Sequence, residues 1–131
     1  MRNPLINHRV RTIAGSFAFI EHRFLRHGFW ASLEHHELLL YFFFVLVADR
    51  QGLSFYSYDK ICSLTAISVD EYIVARDSLI NKDLLAFDGT FFQVLSLPSE
   101  PVRLSQLLKK KEDMQREDPA TIHQLIHGAI R

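Results

Sequence analysis

The sequence predicts an α+β domain in which a three-helix core is closed by a C-terminal β-hairpin. Three observations predict it. The apolar run Leu38 to Ala48 follows Ser32, Glu34 and Glu37, the pattern of a capped helix that is then buried. Ser68-Val69-Asp70-Glu71 supplies the serine and glutamate of a capping box ahead of a second long helix. Asp88-Gly89 separates the apolar segments Leu84 to Phe87 and Thr90 to Leu97, as a two-residue turn separates hairpin strands.

Taken in order, residues 1 to 16 have little periodicity and read as a basic N-terminal arm. Phe17 to Leu25 is aromatic-rich and reads as a short strand or extended segment. A helix capped by Ser32 runs to about Ala48; it is apolar nearly all round, which places it at the centre of the core. Gly52 ends the connection that follows. Ser57 caps a short helix, Tyr58 to Leu64, with Ile61 and Leu64 inward, and Thr65-Ala66-Ile67 is a tight connection. The capping box opens a helix from Val69 to about Lys82, with Tyr72, Ala75 and Leu79 spaced for one buried face. That spacing leaves Ile73, Val74 and Ile80 off the buried face. The hairpin closes the domain at residue 97, and Pro98 and Pro101 mark the change to a helical tail, 98–131. In the tail, Asp118 caps a helix with Pro119 at its first position, and Ile122, Leu125, Ile126, Ala129 and Ile130 fall on one face. A helix so short is marginal alone, so it is expected to dock on this domain, on a second copy or on a partner.

Composition narrows the function. With 48% hydrophobic and 23% charged residues, the 131-residue chain has the balance of a globular domain and not of a disordered one. Lysines and arginines number 15 and so do aspartates and glutamates, which excludes a uniformly basic nucleic-acid coat. Cys62 is the single cysteine, so an intrachain disulfide and a cysteine zinc cluster are excluded. The N-terminus lacks an apolar signal core, and the longest apolar run is about half of the ~20 residues that a membrane span needs. A cytoplasmic protein without membrane contact is expected.

The segments Tyr58-Asp59-Lys60-Ile61-Cys62-Ser63-Leu64-Thr65, Ala66-Ile67-Ser68 and Val69 to Leu85, between a long helix and a hairpin, resemble a winged helix-turn-helix domain. The likeness covers about residues 17 to 97 and is similar to the domains of plasmid replication initiators and small regulators from mobile elements. Asp83 stands where many such domains carry a glycine. The resemblance implies sequence-specific binding of double-stranded DNA, in transcription control or in replication of a mobile element, with Val69 to Lys82 in the major groove. The groove contacts would come from Ser68, Glu71, Arg76, Ser78, Asn81 and Lys82. A homodimer on a palindromic site would follow.

Charge complicates that expectation. Residues 1 to 31 hold five arginines and one acid, a net +4. Residues 32 to 102 hold four bases and ten acids, a net −6. Phosphate contacts supply most of ordinary DNA affinity, yet no Lys or Arg lies between Asp83 and Val102, the span of the wing. Two accounts follow. In one, Arg9 and Arg11, with Arg23 and Arg26 beyond them, bring the positive charge that the core lacks, as homeodomain arms do. In the other, the domain is a protein-interaction or assembly module with little DNA affinity, built on Ile73, Val74 and Ile80 and, in the tail, on Ile122, Leu125 and Ile126.

Catalysis finds no foothold. His123 and His127 are four apart and would share a helix face, but no third ligand accompanies them. His35-His36-Glu37 opens like a zinc-protease motif, but Leu40 replaces its second histidine. Cys62 is expected to pack as a small hydrophobe. There is no glycine-rich phosphate loop and no pairing of acids with histidines. The expectation is a non-enzyme without metal or cofactor.

Overall fold

A computed structural model describes residues 2–102; the tail positions Ile122, Leu125 and Ile126, and the pair His123 and His127, lie outside the described residues. The described residues form four α-helices and a small antiparallel sheet: α1 Arg23–Arg26, α2 His35–Val47, β1 Leu53–Ser54, α3 Tyr58–Thr65, α4 Val69–Asn81, β2 Leu85–Phe87 and β3 Phe92–Val94.

Helix α2 is the spine. Its Leu38, Leu40, Tyr41, Phe44 and Val45 are buried, and it packs on α4, α3 and β3. Ser32 does not cap it. The hydroxyl donates to Phe29 O at 2.6 Å within a preceding 3-10 turn, and Glu34 takes the N-cap position without a side-chain bond. The intervening extended Leu33 is thereby buried. The helix is also not enclosed: Leu39 and Leu46 face solvent, Leu46 with 73% of its surface exposed. Among the described residues, no element covers the strip of α2 that holds Leu39 and Leu46.

The segment expected as a strand is divided. Residues 17 to 20 belong to no helix or strand, and Arg23–Arg26 is one helical turn. Phe24 causes the change. It is buried, with its ring stacked on Tyr41 at 5.0 Å and on Phe29 at 6.1 Å. Phe17 and Phe19 find no such partner and stay exposed.

Helix α3 starts at Ser57, whose hydroxyl accepts from Lys60 N. Its inward pair is Ile61 and Thr65, four apart, and Leu64 is exposed. Thr65 tolerates burial because its hydroxyl donates to Ile61 O at 2.6 Å. Ala66, in the left-handed region at φ 59°, turns the chain into α4. There the capping box is complete: Ser68 Oγ accepts from Glu71 N, and Glu71 Oε1 accepts from Ser68 N. Tyr72, Ala75 and Leu79 are the buried face of α4.

The sheet has the order β1-β3-β2. Phe87 pairs with Phe92, so the hairpin loop is four residues, Asp88 to Phe91, rather than the two-residue turn expected. Asp88 Oδ1 accepts from Thr90 N and Phe91 N, which closes the wider loop. The unanticipated strand β1 joins through Gly52. Its O accepts from Val94 N at 2.9 Å, its φ is +85°, and a Cβ there would lie 2.5 Å from Val94 O. Only glycine permits that approach. Among the described residues, no helix is long and apolar enough to cross a membrane.

Candidate interaction surface

Helix α4 shows solvent a single stripe: Val69, Asp70, Ile73, Val74 and Asp77 are its exposed residues. Their spacing of three and four follows from the helix period once Tyr72, Ala75 and Leu79 face inward. Val74 leaves 69% of its surface in water and Ile73 40%. Ile80 is half-buried and packs against the core.

The cations expected to line a groove along α4 are directed elsewhere. Lys82 Nζ donates to Glu37 Oε1 at 2.6 Å and to Ser32 O at 2.8 Å, with 15% and 7% of the two charged side chains exposed. It serves as the counter-ion of a buried carboxylate on α2. The Arg76 guanidinium lies over the rings of Tyr72 and Phe87 and bonds to Asp77 Oδ1 at 3.0 Å. Arg23 donates to Leu97 O at 2.7 Å and Pro98 O at 2.9 Å, and also to Glu21, which fastens the strand exit to α1. Ser68 and Glu71 are consumed by the capping box, and Glu71 also lies 3.1 Å from His36 Nε2 on α2. The Ser68 N–H and hydroxyl, with a smaller contribution from His36, hold the Glu71 carboxyl below the usual glutamate range. Ser78 and Asn81 are half-buried toward the end of the helix. Arg9, Arg11 and Arg26 are exposed, and none has a carboxylate partner among the described residues.

Every residue from Arg2 to His22 is exposed. At the root of the arm, Phe17, Phe19 and Glu21 border a cavity of about 720 Å³ with Tyr41, Val45 and Val94, beside the C-terminal half of α2. Tyr41 is its buried ionisable group, with Glu21, Asp49 and Arg50 also in the lining. Burial, and secondarily Glu21, push its hydroxyl up to about 12, so it stays protonated at neutral pH.

A second groove, of about 560 Å³, runs between the start of α3, the middle of α4 and the hairpin, lined by Phe55, Tyr58, Lys60, Tyr72, Arg76 and Phe87. Phe55 and Phe91 stand exposed at its rim with rings 5.6 Å apart. Sequence reasoning missed this pair. Strand alternation carried the signal for Phe91, since one of the adjacent Phe91 and Phe92 must face outward. Phe55 had none, because β1 was not foreseen. Among the described residues no three His, Cys, Asp or Glu side chains converge to hold a metal ion. Cys62 packs against the core, as a small hydrophobe does.

No protein-family model, curated protein or solved structure matches the chain.

Proposed function

We propose that this chain is a winged-helix-like protein-interaction module, in which α4 presents a partner-binding face instead of a DNA-reading one. The order α2, β1, α3, α4, β2, β3, with β1 beside β3, is compatible with that frame. The observation that carries the reading is the solvent stripe of α4: aliphatic Val69, Ile73 and Val74 flanked by Asp70 and Asp77, with Arg76 and Lys82 held in contacts within the body. Phosphates are repelled by such a face, whereas an apolar centre with a polar rim suits a protein. The test is sedimentation velocity of the full chain, alone and with proteins that co-purify from its source cells. The wild-type chain is expected in a larger complex, and Val74→Asp in a smaller species with unchanged thermal unfolding. Identical sedimentation of the two would refute the reading.

Duplex DNA is a second reading, favoured by the exposed Arg9, Arg11 and Arg26, which have no carboxylate partner among the described residues. It places the whole phosphate contact on the arm and α1. A gel shift of mixed-sequence duplex at low salt, lost when Arg9 and Arg11 become Ala, is its expected result. Absence of any shift by the wild-type chain would remove it.

A further inference from the structure

We infer that the N-terminal arm of one copy docks on the α4 face of a second copy, so that two chains exchange arms in a closed dimer. The inference rests on the reading of α4 as a protein-binding face and names its partner. The arm is its first ground. Leu5, Ile6, Val10, Ile13, Phe17 and Phe19 each leave more than half of their surface in water. So many large apolar side chains on one segment mark a surface that another molecule covers.

Charge identifies the molecule. Residues 2 to 20 contain Arg2, Arg9 and Arg11 and no acid, while the body from 32 to 102 carries a net −6. At the face itself, His36 of α2 lies 3.1 Å from Glu71 of α4, and the exposed Glu34 and Asp70 stand two residues and one residue before them in the chain. Neither Glu34 nor Asp70 pairs with a cation among the described residues. Beside them lie Ile73 and Val74. Apolar residues interspersed with arginines on the arm thus meet apolar residues rimmed by carboxylates on the face. A second copy supplies the match twice, and two reciprocal contacts close the assembly without leaving an arm or a face unpaired. The root of the arm lies beside the C-terminal half of α2, whereas the α4 face adjoins the first turn of α2.

The exchange has a distinctive test. Two variants of the full chain are made, one with Arg9→Glu and Arg11→Glu, the other with Glu34→Lys and Asp70→Lys. Each homodimer then has two repulsive contacts, whereas a mixed dimer has two attractive ones. Sedimentation velocity over a range of micromolar concentrations is expected to show a wild-type dimer, a dimer dissociation constant raised at least tenfold in each variant alone, and a dimer restored to within about threefold of wild type in the equimolar mixture. Thermal unfolding of each variant checks that the body is intact. A mixture that stays monomeric while wild type dimerises overturns the exchange. A wild-type chain that is monomeric throughout also overturns it. The reading of α4 survives either result if Val74→Asp still abolishes a complex with a different protein, and it falls with the inference if Val74→Asp changes no complex at all.

Discussion

Lys82 turns its ammonium into the body, where Glu37 on α2 is nearly buried and has no other cation beside it among the described residues. Removing one member of such a pair strands a charge in a low-dielectric site, whereas removing both leaves no charge to satisfy. Lys82→Met is therefore expected to cost about 3 kcal/mol, and the pair Lys82→Met with Glu37→Leu to restore most of the loss. Urea unfolding of the two variants checks this; equal destabilisation would show that the pair contributes little. Gly52 is the other position where one atom decides. A Cβ there would meet Val94 O at 2.5 Å in a backbone of φ +85°, so Gly52→Ala is expected to cost well over ~1 kcal/mol and to detach β1 from β3. Loss of amide protection at Val94 N, which donates to Gly52 O, reports the detachment.

Helix α4 joins a buried face set by packing to a first turn set by hydrogen bonds. Its capping box makes stability depend on acid. The Glu71 pKa is lower in the folded than in the unfolded chain, so its contribution is fully present above the unfolded value and fades as pH falls through the folded one. Glu71→Gln should flatten the acid limb of the stability profile below about pH 4.5 while changing the fold little. Ser68→Ala should cost about 1 kcal/mol at neutral pH. The same helix separates two isoleucines that look alike in the sequence. Ile73→Asp faces water and should stay within about 0.5 kcal/mol of wild type. Ile80→Asp places a carboxylate against the core and should lower the thermal midpoint clearly. Matching midpoints for the two would contradict the burial pattern.

Over the whole molecule, charge is separated rather than balanced. The exposed arm carries the free arginines, and the body carries the excess of carboxylates. If duplex binding is detected, its salt dependence should come from the arm alone. Arg9→Ala with Arg11→Ala should flatten the slope of log affinity against log salt by about two units, at roughly one per phosphate contact. Lys82→Met should leave the slope unchanged, because Lys82 is neutralised within the body. A slope that responds to Lys82 would return α4 to the DNA surface.

The class of fold and most helix bounds were legible in the residues, because caps, period and turn chemistry act over a few positions. Ser57, Ser68 with Glu71, and the Tyr72-Ala75-Leu79 spacing each act within a single element, and α3 and α4 start where those signals stand. Opposite charge on arm and body is likewise a property of the chain as written. The destinations of Arg23, Arg76 and Lys82 were not legible, since a long cationic side chain reaches as easily into its own body as outward. Its partners here, Leu97 O, Asp77 with the Tyr72 and Phe87 rings, and Glu37, lie between 1 and 74 residues away. Strand β1 and the open side of α2 were hidden for a related reason. A two-residue strand exists through its pairing with β3, and an apolar helix is buried only where other elements reach it. Which aliphatic residues of α4 meet water followed from the same long-range packing.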